Sequence, residues 1–189
     1  MERLSERVDR HYEARWGEPV RRAVFSDASR AVHVYKWSES QTGEGVTIYA
    51  TSGLSDLSLS PAEPTHRVEL FVGLRPEDDR IARPLARLAL QNDPENPCLL
   101  HGHSLTLQEP FWPGCAFSAW LFLNPREPIV TDLALGGGEH VHFLQAVPVF
   151  DSELAYRSEN SLDQLLALWM SNTIPFWSLE RDAPPASPA

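Results

Sequence analysis

The sequence predicts an α+β domain, a mixed and largely antiparallel sheet flanked by helices. Three observations carry this. Short runs of β-branched and aromatic residues cluster along the chain instead of alternating strictly with helical segments. Amphipathic helical stripes stand near both ends. The composition, 42% hydrophobic and 22% charged over 189 residues, is that of an ordinary globular domain, large enough to bury a core without disulfide or metal. Residues 1–182 are expected to form a single domain. Residues 183–189 are Pro, Ala and Ser only, and are expected to be a disordered tail.

The elements follow in chain order. Leu4, Val8, Tyr12 and Trp16 recur every four residues and Gly17 follows, which predicts a helix with a glycine stop. Val32, Val34 and Trp37 mark a strand, Val46-Thr47-Ile48-Tyr49 a second and Val68-Glu69-Leu70-Phe71-Val72 a third. Gln41-Thr42-Gly43-Glu44-Gly45 reads as the hairpin turn between the first two. A second helix is expected to start at Asp78 or Asp79, because acidic side chains suit the positive end of a helix dipole. Ile81, Leu85 and Leu88 line its face, and Asn92-Asp93-Pro94 ends it. Residues 116–123 and 141–150 return to strands, with Gly136-Gly137-Gly138 as a turn before the latter. Ser161-Leu162-Asp163-Gln164 is a capping box opening a last helix whose stripe is Leu162, Leu165, Leu166 and Trp169.

Charge and composition exclude several functions. Sixteen Lys+Arg against 26 Asp+Glu give a net charge of -10, which opposes nonspecific binding to nucleic acid or to an anionic membrane. Cys98 and Cys115 are too few for a disulfide framework or a four-cysteine zinc site and read as apolar packing residues. The N-terminus alternates charges without an apolar stretch, and the longest apolar run, residues 115–123, is too short to span a bilayer. The expectation is a soluble cytoplasmic protein.

Chemistry-bearing motifs are sparse. Two His-x-His pairs, His101-Gly102-His103 and His140-Val141-His142, each place two imidazoles on one side of an extended segment. Neither has a carboxylate at the spacing a cupin-type metal site uses, so the histidines read as structural and no metal or cofactor is expected. A metal-dependent enzyme built on these pairs is the alternative, with a small-ligand sensor as a third reading. Gly102-His103-Ser104 lacks the second glycine of a nucleophile elbow, and Gly136-Gly137-Gly138-Glu139 lacks the Lys-Ser/Thr of a phosphate loop. Glu77-Asp78-Asp79 reads as a solvated helix start, and Trp112, Trp169 and Trp177 as core. Thr51-Ser52-Gly53-Leu54-Ser55-Asp56-Leu57 stands apart: it mixes glycine with small polar residues straight after a strand, where a scaffold presents binding loops.

That segment resembles the "Y-x-T-x-G-L/M-S-D" stretch of the suppressor-of-fused domain family. Further landmarks resemble the family in the same order: His33-Val34, Val68-Glu69-Leu70-Phe71, Leu85-Ala86-Arg87-Leu88-Ala89, Gly102-His103-Ser104, Val141-His142-Phe143-Leu144-Gln145 with Glu153, and Leu165-Leu166. There are departures. Residues 78–84 hold no tryptophan, Tyr35 stands where an acid often follows "H-V", and the two positions that help clamp a transcription-factor peptide in animal members are Gly102 and Leu88 here. The resemblance implies the family fold, the bacterial single-domain type and a non-enzymatic protein-interaction role, with a partner other than the animal one. Bacterial members are associated with toxin–immunity loci, so an immunity protein that neutralises a toxin is the expected form, and an acidic surface suits a basic toxin. The partner-binding residues expected are Ser52, Gly53, Ser55, Asp56, His101 and His103.

Overall fold

The computed structural model describes residues 3–57, 66–91, 99–125 and 127–184. The elements are α1 (Leu4–Trp16), β1 (Arg21–Ser26), β2 (Ala31–Trp37), α2 (Glu39–Thr42), β3 (Thr47–Ser52) and β4 (His66–Leu74). A 3-10 turn at Asp79–Ile81 leads into α3 (Ala82–Leu90), followed by β5 (Ser104–Thr106), β6 (Ala119–Leu123), β7 (Leu133–Gly136), β8 (Glu139–Val149), α4 (Asp151–Glu159) and α5 (Leu162–Ser171). The strands form one sheet in the order β1-β2-β3-β4-β8-β6-β5, with β7 paired to β8. Every described pairing is antiparallel except that of β4 with β8. The α+β mixed sheet read from the sequence is the observed fold.

Period-two alternation along β8 sorts the helices onto the two faces. Leu144 and Ala146 join the core under α3. Val141 and Phe143 join the α1 core, and Val147 and Val149 the α5 core. The two terminal helices therefore share one face, and α3 covers the other. The α1 stripe packs as its spacing requires: Val8, Tyr12 and Trp16 are buried, and Gly17, at φ 75°, ends the helix by donating its N–H to Glu13 O. In α5, Leu165 and Trp169 are buried, joined by Leu168, which lies outside the expected stripe, while Leu162 and Leu166 are half-buried. Ser161 Oγ accepts from Gln164 N–H as a capping box requires, but Gln164 Oε1 accepts from that same hydroxyl at 3.1 Å.

The structure corrects the sequence reading in places. The β2–β3 hairpin connection is not a bare turn: it carries the single helical turn α2, capped by Gly43 in the left-handed conformation. Strands β1, β5 and β7 and helix α4 are additions to the expected elements. Trp169 is core, but Trp112 is half-buried and Trp177 is 36% exposed. Cys115 is half-buried and burial raises its thiol pKa. Cys98 and Asn92-Asp93-Pro94 lie outside the described residues, as does most of the expected tail; Pro184 within it is buried. Among the described residues, no helix is long and apolar enough to cross a membrane.

Candidate functional site

The segment singled out after β3 wraps a buried carboxylate. Glu69 lies in β4, whose alternate residues Val68, Leu70 and Val72 belong to the α3 core, so Glu69 points to the α1 side with Phe71. It is fully buried. A bare charge there would cost several kcal/mol, and the chain answers with donors. Gly53 N–H (2.9 Å), Ser55 N–H (3.0 Å) and Ser55 Oγ (2.7 Å) donate to Oε1, and Thr51 Oγ1 donates to Oε2 at 2.6 Å. Burial raises the Glu69 pKa, and these bonds oppose it without cancelling it. Thr51 Oγ1 also accepts from Leu70 N–H at 2.9 Å. Ser52 Oγ donates to Asp9 Oδ1 at 2.6 Å, and Asp9 Oδ2 accepts from Tyr35 Oη at 3.0 Å.

Of the six residues expected to contact a partner, Ser52, Gly53 and Ser55 are therefore buried with their polar groups turned inward. Asp56, His101 and His103 are exposed. Asp56 Oδ1 accepts from Ser5 N–H at 3.0 Å, at the start of α1. The His101–His103 turn is braced by Gly102 N–H to Phe122 O (2.7 Å), by Arg157 Nη1 to Gly102 O (2.6 Å) and by Asn124 N–H to His101 Nδ1 (3.0 Å). The two segments do not meet: β4, β8 and β6 lie between them in the sheet. Nor do the His-x-His pairs. His140 and His142 start β8, where His142 Nδ1 lies 2.7 Å from Asp132 Oδ2 and its ring 5.4 Å from that of His66. Among the described residues, no three His, Cys, Asp or Glu side chains are disposed to hold a metal ion.

A groove on the α3 face is the feature that sequence reasoning misses. It has a volume of about 650 Å³ and opens between β1 and β2, the start of α3, and the loop 107–113. Its aromatic lining includes Phe25, Tyr49, Phe111 and Trp112. Asp79, read from the sequence as solvated, anchors one end. Lys36 Nζ and Tyr49 Oη each donate to its Oδ1 at 2.8 Å, and Arg21 donates to Oδ2. The Lys36 bond, with those of Tyr49 and Arg21, holds the Asp79 carboxyl below its usual range although partial burial opposes them. Burial, then the bond to Asp79, raises the Tyr49 phenol. The one sequence signal for this groove is Arg83 and Arg87, one turn apart on a helix whose other side is apolar.

These features define a helix-flanked mixed-sheet domain of the α+β class, with a buried acid at its centre and an aromatic groove on one face. The family model for the Suppressor of fused protein (SUFU) matches residues 28–182, and the chain belongs to that family. Among solved structures, it is similar to the SUFU homologue of Neisseria gonorrhoeae, with TM-score 0.70, 15% identity and 96% of each chain covered. It is also similar to a chain from a Sufu-Fu complex, with TM-score 0.61, 16% identity and 94% of this chain and 90% of that one covered. Against Drosophila Suppressor of Fused the TM-score is 0.58 at 13% identity; the match takes in 93% of this chain and 49% of that one. No curated protein matches the chain by sequence.

Proposed function

We propose that the chain is a non-enzymatic protein-interaction module acting in the cytoplasm, and more specifically an immunity protein that neutralises a toxin. One observation carries the reading. The polar residues that could have formed a reactive site, Ser52, Ser55, Thr51 and Glu69, are engaged inside the fold, whereas Asp56, His101 and His103 stand exposed on braced turns. A rigid scaffold presenting exposed polar groups is the architecture of a recognition surface. Membership in the SUFU family and the likeness to a chain from a Sufu-Fu complex support a protein partner. The net charge of -10 supports a basic one, because opposite fields speed encounter.

The test pairs a toxin-rescue assay with a surface variant. Co-expression with the toxin encoded beside this gene in its native host is expected to restore growth. His103→Ala, which removes an exposed ring and leaves the backbone bonds of the turn in place, is expected to keep the urea midpoint and lose the rescue. A wild-type chain that gives no rescue removes the immunity reading. Full rescue by the folded His103→Ala variant moves the contact face away from this turn.

A further inference from the structure

We propose that the groove on the α3 face docks an acidic peptide segment of a partner protein, with an apolar or aromatic side chain between its carboxylates. The proposal rests on the interaction-module reading for the kind of occupant, but it names a site apart from the His101–His103 turn.

The first observation is a local inversion of charge. The chain as a whole carries -10, yet the groove is lined by Arg21, Lys36, Arg80, Arg83 and Arg87 against Asp79 and Glu109. Asp79 is already saturated by Arg21, Lys36 and Tyr49. At the rim, Glu77 pairs with Lys36 and Asp78 with Arg80. Among the described residues of the groove, that leaves Arg83 and Arg87 as the open cationic groups. Both are exposed, and Arg87 donates only to the neutral Gln91 Oε1, at 3.3 Å. Spaced four residues apart on α3, they stand one above the other, and each guanidinium fork matches a carboxylate bidentately.

The second observation is the lining between these charges. Arg80 lies 4.6 Å over the Trp112 ring, and Phe111 stacks on Trp120 at 4.4 Å, so the aromatic wall is fixed. A volume near 650 Å³ is within the range of sites that enclose a ligand. The groove reaches from β1 across the start of α3 to the loop 107–113, farther than one inserted side chain. A peptide with acids flanking an apolar anchor satisfies both linings together. A nucleic acid would meet the same arginines but would carry its remaining phosphates across an acidic protein, which repels them.

The full chain is titrated with three fluorescein-labelled probes of equal length: a Glu-rich peptide with a central Trp, the same peptide with Lys for Glu, and a single-stranded oligonucleotide. The Glu-rich peptide is expected to bind at least tenfold more tightly than the other two, and more weakly as salt is raised. Arg83→Glu with Arg87→Glu, both on the solvent side of α3, is expected to keep the urea midpoint and weaken the Glu-rich peptide at least tenfold. Equal binding of the Lys-rich peptide, tighter binding of the oligonucleotide, or unchanged binding by the folded charge-reversal variant overturns the proposal. A partner captured equally by wild type and charge-reversal variant overturns the groove while leaving the interaction module standing. A wild-type chain that binds the Glu-rich peptide selectively yet gives no toxin rescue supports the groove and removes the immunity reading.

Discussion

Ser55 gives both its backbone N–H and its hydroxyl to a single oxygen of Glu69, at 3.0 and 2.7 Å. These two hydrogen bonds to one atom close the loop after β3 around a carboxylate with no exposure to water. The loop gains a partner for its donors, and β4, itself held by its ladders to β3 and β8, carries an acid where an apolar residue would otherwise sit.

The arrangement separates two substitutions. Glu69→Gln can place its amide oxygen where Oε1 accepts three bonds and its amide nitrogen toward Thr51 Oγ1, which has Leu70 O at 3.3 Å as an alternative acceptor. It is expected to cost under about 1 kcal/mol at neutral pH, whereas Glu69→Ala strands buried donors and should cost about 3–5 kcal/mol. The pH dependence has a definite sign. Burial raises the folded-state pKa of Glu69. The stability this gives is fully present below the unfolded value of about 4.3 and is lost as pH rises through the folded value. Urea midpoints of wild type minus those of Glu69→Gln should therefore fall as pH rises above the unfolded value. A rising difference would show that the donors outweigh burial.

Gly53 tests the same loop through the backbone. Its φ is +110°, and a Cβ there would meet Ala31 O at 3.2 Å. Gly53→Ala is expected to cost about 1–3 kcal/mol, from left-handed strain plus a contact with backbone that cannot yield. Gly17 also has positive φ, +75°, but open space around it. Gly17→Ala should cost about 1 kcal/mol. Equal melting temperatures for the two variants would show that the contact with β2 carries no energy.

Glu69 also shows how far the sequence could be read. A lone acid inside Val68-Glu69-Leu70-Phe71-Val72, close after a run rich in small donors, stands out in the residue pattern alone. That pattern locates the strand and the run, but no spacing rule says which way Ser52 and Ser55 point, so the run reads as a surface loop. Strand β1 escapes a pattern search because it is an edge: Arg21, Arg22, Val24 and Ser26 are exposed, so its alternation carries little apolar signal. Helix α4 escapes it because Glu153 is its one fully buried residue, an acid that no apolar stripe reveals. Apart from Arg83 and Arg87, the groove leaves no mark on the sequence, because its walls come from residues 21–36, Tyr49, 79–87 and 107–113, and their meeting is a property of the tertiary fold.

Glu153 organises the C-terminal segment. Arg181 clasps it bidentately, Nη1 to Oε1 at 2.9 Å and Nη2 to Oε2 at 2.7 Å, and Trp169 Nε1 donates to Oε1 at 2.6 Å. The side chains of both ions are almost wholly shielded from water, and the guanidinium lies 4.7 Å from the Phe150 ring centroid. Arg181→Ala leaves a buried carboxylate without its counter-charge and is expected to cost about 3–5 kcal/mol. Trp169→Ala should cost a similar amount, about 3–5 kcal/mol, as losing a buried Trp side chain does. Because both residues act on Glu153, the double variant should cost less than the sum of the singles. Strict additivity in urea denaturation would show that the three residues are not one network.

Asp56 connects the fold to the proposed surface, which makes it the residue most easily misread in a binding experiment. Its Oδ1 accepts from Ser5 N–H in the first turn of α1, where backbone donors have no partner within the helix. A carboxylate there satisfies one such donor and faces the positive end of the helix dipole. Asp56→Ala is therefore expected to cost about 1 kcal/mol by loss of this cap. Asp56→Asn keeps an acceptor oxygen and should cost only a few tenths. His103 is exposed, and its backbone, not its ring, holds the turn through Phe122 N–H to His103 O at 2.9 Å. His103→Ala should leave the melting temperature unchanged. A partner lost on Asp56→Ala but kept on Asp56→Asn reports the loosening of α1. Loss on both Asp56→Asn and His103→Ala, at unchanged melting temperature, places the contact on these side chains.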